Sequence, residues 1–177
     1  MDFKPLLQLF DALAPKSTSI DQLKEESTEH YAKVIQAVLD DLKMELKPEE
    51  LSDSSCLWTY KHGSAALQIR LHRENSEKYL VFEVLAPLVK LPKDEIKADD
   101  RIVALMTLCM DLNCHLSDAH LAWSENLGIV LTSRRRVVGL DAEEVLTTLR
   151  TVSIKADRMD DLLSRDFGAM MWGVAEA

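Results

Sequence analysis

The sequence has few of the residues that mark repetitive, disordered or disulfide-stabilised chains. Its 177 residues include 5 glycines, 5 prolines and 3 cysteines. So few glycines and prolines exclude low-complexity segments and long flexible linkers, and they leave little material for a loop that cradles phosphate. Three cysteines cannot all pair with one another and are too few for a disulfide scaffold. We therefore expect a reducing compartment.

Basic charge and long apolar runs are scarce as well. The 21 lysines and arginines stand against 30 aspartates and glutamates, a formal charge of −9, which repels nucleic-acid backbones and favours basic partners. No apolar run approaches the roughly 20 residues that span a bilayer. The N-terminal stretch MDFKPLLQLFDAL is interrupted by polar residues and is followed by no cleavage site of a signal peptide. These features predict a cytoplasmic protein that binds neither nucleic acid nor membrane.

Hydrophobic periodicity is what the sequence does contain. A helical period predicts helices at 6–13, 19–44, 100–112 and 141–163, and a period of two predicts strands at 56–62, 65–72, 79–86, 119–124 and 127–133. Because the strands are joined by short loops, we expect an antiparallel arrangement. The pattern predicts an α+β fold in the order α-α-β-β-β-α-β-β-α, with a five-stranded antiparallel sheet packed by helices.

Two helix ends and three segments can be assigned from local signals. Asp141 and Glu144 have the spacing of a capping box, and Asn113 suits a left-handed residue at the end of the preceding helix. We divide the chain into an N-terminal helical segment (1–50), an α+β domain (51–166) and a C-terminal tail (167–177).

The stretch CMDLNCHL is the place where metal or thiol chemistry is conceivable. Five residues at about 100° each place Cys109 and Cys114 about 140° apart on one helix, and His115 and His120 on one strand would face opposite sides. Only an irregular junction could gather Cys114, His115 and Asp118 around an ion. We expect a helix end here, with no catalytic, cofactor or metal site, and keep a small metal-dependent enzyme as an alternative.

Two charge clusters are open to a functional interpretation. The dense basic run Arg134–Arg136 is expected to be a solvated strand end that pairs with the acidic start of the last helix, although a dock for an acidic or phosphorylated ligand is the alternative. Asp160, Asp161 and Asp166 lie among arginines at the end of that helix. They indicate a polar face rather than an acid–base pair, which would need a cleft.

The strongest functional signal is apolar. Tyr79, Val81 and Leu85 face the side of their strand opposite its other apolar residues, and Trp58 and Tyr60 alternate on the first strand. A sheet that is apolar on both faces must be covered, either by the N-terminal helices of the same chain or by another protein. We predict these five residues as the partner-binding surface.

From Leu105 to Leu163 the sequence follows a distinctive progression. A helix ending in LMTLCMDLN leads to the hairpin AHLAWSENLGIVLTS, and VVGLDAEEVLTTL then opens a helix that contains Ala156-Asp157. This progression resembles that of YbjN-like proteins, and the order of elements over about 55–166 is similar to that of class I type III secretion chaperones. Residues 1–50 are longer than the single leading helix of such chaperones.

The resemblance implies a protein without catalytic residues that binds another protein, often as a homodimer. Together with the apolar sheet, it predicts a cytoplasmic chaperone-like or regulatory module whose partner is a protein client or effector segment. A self-assembling structural or sensory regulator without a client is the alternative.

Overall fold

A computed structural model of the protein describes residues 28–52, 55–73, 79–90 and 100–167. In chain order its elements are α1 (Thr28–Asp41), β1 (Glu49–Ser52), β2 (Ser55–His62), β3 (Ala65–Arg73), β4 (Leu80–Val89), α2 (Asp100–His115), β5 (His120–Ser124), β6 (Gly128–Arg136) and α3 (Ala142–Phe167). The helix predicted at 6–13, the first part of the helix predicted at 19–44, and residues 168–177 of the tail lie outside the described residues.

The strands form one antiparallel sheet in the order β1-β2-β3-β4-β6-β5. All five predicted strands are present, which confirms the α+β fold and the antiparallel arrangement. The structure adds β1, a four-residue edge strand of sequence EELS that pairs with β2. It has two glutamates and no apolar alternation, so the period-of-two pattern does not reveal it.

The two faces of the sheet carry different residues. The helix face carries Trp58, Ile69 and Val84, which are cross-strand neighbours and are buried. The second face carries Arg70 and Glu83, which are cross-strand neighbours one position away in the register. Helices α1 and α3 both pack on the helix face, and α2 lies beside the edge strand β5.

Helix α3 contributes most of the cover. Its buried residues recur at helical spacing and match the predicted stripe: Val145, Leu149, Val152, Ala156, Met159 and Leu163. Helix α1 adds Ile35, Val38 and Leu39 to the same core. It ends in a Schellman motif, in which Met44 N donates to Leu39 O at 2.9 Å and Lys43 adopts a left-handed φ of 57°.

Polar contacts fix the helices against the sheet. Trp58 Nε1 donates to Gln36 Oε1 at 3.1 Å. Ser153 donates to a carbonyl of its own helix, so the 2.9 Å contact between Tyr60 and Ser153 is a bond donated by the tyrosine hydroxyl. Asp157 Oδ1 accepts from Ser64 N, at 3.2 Å, in the turn between β2 and β3.

The pair Ala156-Asp157, part of the progression quoted above, has a physical reason. Ala156 is fully buried where α3 crosses the sheet, so a larger side chain would push the helix away. The next residue, Asp157, holds the β2–β3 turn. Gly63 in that turn has a φ of +58°, and a Cβ there would come within 2.0 Å of Asp157 Oδ1.

Candidate functional site

The end of α2 differs from the prediction for Asn113. The helix continues to His115, and the left-handed residue is Asp118, with a φ of 62°, in the turn that follows. Asn113 Nδ2 donates to Leu121 O at 3.0 Å, and Leu121 N donates to Asn113 Oδ1 at 2.7 Å. The prediction of a left-handed Asn113 is therefore wrong. Asn113 is helical, and its side chain forms hydrogen bonds with the backbone of β5 at Leu121.

The residues of the conceivable metal or thiol site do not converge. Cys114 Sγ donates to the Met110 carbonyl of its own helix at 3.5 Å, and His115, Asp118 and His120 are exposed. Within residues 28–52, 55–73, 79–90 and 100–167, no group of three or more histidine, cysteine or acidic side chains could hold a metal ion. Burial raises the pKa of the Cys109 thiol, which disfavours its reactive thiolate form.

The five predicted partner-binding residues lie on two different faces. Trp58, 1% exposed, and the half-buried Tyr60 belong to the helix face and contact the helices there. Val81 and Leu85 belong to the second face and are 2% and 3% exposed. Tyr79 lies just before β4. The five therefore do not form one surface, and their role in binding a partner stays a prediction.

Among the described residues, arginines surround Glu83 on the second face. Glu83 has Arg70 and Arg134 as its cross-strand neighbours on either side, and its Oε1 accepts from Thr132 Oγ1 at 3.2 Å. Two arginines thus flank one glutamate on this face, and Arg70 Nη2 donates to Gln68 Oε1 at 2.5 Å. The Arg136 guanidinium lies 3.6 Å from the centre of the Tyr79 ring, a cation–π contact.

The strand alternation divides the run Arg134–Arg136. Arg135 points to the helix face and forms an ion pair with Glu144 of α3, so part of the run does pair with the acidic start of the last helix. Asp141 Oδ1 accepts from Glu144 N at 2.8 Å, and Glu144 Oε2 accepts from Asp141 N at 3.3 Å, which confirms the capping box. Arg134 and Arg136 are exposed on the second face.

Two clefts lined by described residues border this part of β6. The first, of about 570 Å³, lies between β6 and the start of α3, and its walls carry both arginines and carboxylates. The second, of about 370 Å³, is lined by Tyr79, Val81, His120 and Arg134–Arg136. Asp161 is exposed on α3 and Asp160 is half-buried, and neither lines these two clefts.

Helix α2 has an exposed apolar side. Val103 and Met110 are 55% and 72% exposed. Thr107 lies between them and Cys114 follows them, so the four residues have a 4-3-4 spacing along the helix. Thr107 Oγ1 and Cys114 Sγ each donate a hydrogen bond to a backbone carbonyl of the same helix. We call these four residues the α2 stripe.

Most of the sequence through the α2 stripe is uncharged, although Arg101 precedes it and Asp111 lies between Met110 and Cys114. The nine residues from Ile102 to Met110, IVALMTLCM, are all uncharged. Trp123 of the neighbouring strand β5 is also exposed, at 49%. Sequence reasoning assigned this helix to the core through its other side and missed the α2 stripe. The signal that could have revealed it is this uncharged run, which covers more of the helix surface than a single buried stripe needs.

No curated protein matches the sequence. The crystal structure of the Yersinia pestis type III secretion chaperone SycH, in complex with a stable fragment of YscM2, is similar with a TM-score of 0.41 and 13% identity, over 71% of this chain and 96% of that one. None of the described helices is long and apolar enough to cross a membrane.

The family comparison covers most of the chain. The model of the YbjN family, described as a putative bacterial sensory transduction regulator, matches residues 31–165, which run from α1 almost to the end of α3. The chain belongs to the YbjN family.

Proposed function

We propose that this protein is a non-enzymatic, cytoplasmic protein-binding module, chaperone-like or regulatory, that binds a protein partner through the α2 stripe and the neighbouring Trp123. The observation that carries the proposal is the exposure of uncharged side chains in the α2 stripe, Val103 at 55% and Met110 at 72%. The family description supports a regulatory role. None of the three cysteines is in a disulfide bond, which fits a reducing compartment.

A comparison of α2 with α3 shows why its exposed side is unusual. On α3 the exposed positions include Glu143, Arg150 and Arg158, as expected for a helix that covers a core and faces water. The exposed apolar residues of α3, Ile154 and Leu162, are 46% and 37% exposed. On α2, Val103 and Met110 are more exposed than either, at 55% and 72%, although charged Arg101 and Asp111 are exposed on the same helix. Exposed apolar surface of this kind marks sites of protein interaction, and methionine and tryptophan are enriched in them.

The position of α2 defines the region that a partner would contact. Asn113 fixes α2 to the backbone of Leu121 at the outer edge of the sheet, so the helix and β5 together form one end of the molecule. Trp123 lies two residues further along the same strand. A partner that forms a specific complex there should bury about 1,200–2,000 Å² in total. A second copy of the chain bound through the same end is the alternative arrangement.

Photo-crosslinking from Cys114 tests the proposal. Cys114 is an exposed thiol at the end of the α2 stripe, so a benzophenone maleimide attached to it would react with whatever covers the stripe. The matched control carries Ile154→Cys, an exposed position on α3, with Cys114 replaced by serine. Cys56 is replaced by alanine in both proteins.

Crosslinks to another cytoplasmic protein from α2 and not from α3 would support a client. Crosslinks to the same chain alone would favour self-assembly. Met110→Glu should abolish either product, whereas Ile154→Glu should leave it unchanged, because only the first change places a charge on the stripe. Equal products from both positions, or none from α2, would refute the proposal.

A further inference from the structure

The two edges of the described sheet, β1 and β5, differ in how well their own residues protect them from an added strand. Strand β1 contains Glu49 and Glu50, and its register with β2 shifts between Glu50 and Ser52. Charge and an irregular register both disfavour the addition of a strand. Strand β5, of sequence HLAWS, contains no acidic residue, lysine or arginine, and its register with β6 is regular. The strand residues of β5 therefore provide less protection than those of β1.

Asn113 takes the place of a neighbouring strand at the β5 edge. A paired strand would donate to the carbonyl and accept from the N–H of one β5 residue. The side-chain amide of Asn113 makes both of these bonds with Leu121, at 3.0 and 2.7 Å. Because the direction of the backbone groups alternates along a strand, those of Ala122 point towards β6 and those of Trp123 point outward. Asn113 therefore occupies one of the two outward-facing residues within β5.

The position of Asn113 on α2 makes this contact removable. Asn113 lies in the last turn of α2, two residues before the helix ends at His115. Helix ends fray, so the two bonds to Leu121 hold this turn against β5. Without the amide, the turn is free to move outward and the N–H and C=O of Leu121 lose their partner. An unmade hydrogen bond is unfavourable, so a new strand at this edge would be favoured.

We propose that Asn113 is a lock that closes the β5 edge to a second copy of the chain, and that its loss lets two β5 strands pair around a two-fold axis. In that pair, Leu121 of each copy lies opposite Trp123 of the other, and the two Ala122 residues lie opposite one another. The outward groups of Leu121 and Trp123 then form about four hydrogen bonds between the copies.

A second copy is the occupant that the charges of the edges favour. Strand β5 has no charged side chain that would repel the same strand of another copy, and a two-fold axis brings identical surfaces together. Two copies of β1 would instead bring Glu49 and Glu50 of each copy close to those of the other. This inference does not rest on the α2 stripe as a partner site.

Disulfide trapping in the full-length protein tests the proposal. The two Ala122 residues would form a non-hydrogen-bonded pair with Cα atoms about 4.5 Å apart, a separation that a disulfide bond spans. Ala122→Cys is combined with Asn113→Ala in a protein that carries Cys56→Ala and Cys114→Ser. After mild oxidation we expect about tenfold more covalent dimer than in the same protein with Asn113 retained, because the two bonds of Asn113 compete with pairing.

Two controls separate pairing at the edge from association of a destabilised chain. Gly63→Ala with Ala122→Cys disturbs the β2–β3 turn and keeps Asn113, so it should give no more dimer than the parent protein. Thr59→Cys with Asn113→Ala places the thiol at an exposed position of β2, which is an inner strand, and should give little dimer. Without any introduced cysteine, Asn113→Ala should dimerise at lower protein concentration than wild type in sedimentation velocity.

Three results would overturn the proposal. They are equal dimer yields with and without Asn113, an equal yield in the Gly63→Ala control, and an equal yield from Thr59→Cys. Crosslinking from the α2 stripe reports on a different surface, so the failure of either proposal is distinguishable from the failure of the other.

Discussion

The paired hydrogen bonds of Asn113 give the sharpest test of how the edge of the sheet is held. Asn113→Ala removes both the 3.0 Å bond to Leu121 O and the 2.7 Å bond from Leu121 N. Each such bond contributes about 0.5–1.5 kcal/mol net, so we expect the free energy of unfolding to fall by about 1–3 kcal/mol. Urea unfolding followed by circular dichroism measures that change.

Asn113→Asp tests the direction of the two bonds. The introduced carboxylate can still accept from Leu121 N, but at neutral pH it has no donor for Leu121 O and repels that carbonyl. The repulsion raises the pKa of the introduced carboxyl in the folded state above its unfolded value of about 3.9. Stability is then gained as pH falls through the folded pKa, because the protonated acid can donate to Leu121 O. Asn113→Ala should show no such gain relative to wild type.

Two controls complete this experiment. Asn126→Ala, in the exposed turn between β5 and β6, should change stability by less than about 0.5 kcal/mol. Hydrogen exchange of the Leu121 amide should accelerate in Asn113→Ala and stay unchanged in Asn126→Ala. If Asn113→Ala has wild-type stability and the Leu121 amide keeps its protection, the assignment of Asn113 as the partner of β5 is wrong.

Three further predictions concern the turn, the core and the thiols. In the same urea assay, Gly63→Ala should lower the free energy of unfolding by about 2–3 kcal/mol, because a Cβ at φ +58° would displace Asp157. Gly139→Ala, at φ +72° with open space around it, should lower it by about 1 kcal/mol. Burial raises the pKa of Tyr60 above its ordinary value of 10.0. The stability that the protonated tyrosine contributes is therefore present below about pH 10 and is lost as pH rises through the folded pKa. Tyr60→Phe should reduce the loss of stability at alkaline pH, and an unchanged dependence of stability on alkaline pH would contradict this. Iodoacetamide should modify the exposed Cys114 in the folded protein and the buried Cys109 only after denaturation. Mass spectrometry of the peptides measures both modifications, and equal rates in the folded protein would contradict the burial of Cys109.

Strong periodicity made most of the fold predictable. Strand β3 alternates buried and half-buried residues along nearly its whole length. The apolar residues of α3 recur at helical spacing and lie in the core. Each pattern therefore predicts the type of its element. The edge strand β1 was missed because two of its four residues are glutamates. Its pairing with β2 depends on tertiary structure, which the strand propensity of its residues does not predict.

The candidate sites were less predictable, because they depend on which residues meet across the sheet. The excess of acidic residues describes the whole chain, but the register brings Arg70 and Arg134 to the two sides of Glu83. The sequence predicts a left-handed helix end at Asn113 and does not reveal its hydrogen-bond partner, because Leu121 lies eight residues further on in the next strand. The family likeness was predictable and is confirmed, since it rests on the order and pattern of the elements.

Helix α3 has a consequence for how the protein is made. The six strands that the structure describes all precede it in the chain, so a ribosome synthesises them before it completes the helix that covers them. Synthesis proceeds at about 5–20 residues per second, and the 26 residues of α3 therefore add seconds during which the helix face lacks its largest cover. During those seconds residues such as Ile69 and Phe82 are open to wrong contacts in the nascent chain. A synonymous change that slows translation within α3 should therefore lower the yield of folded protein more than the same change within α1.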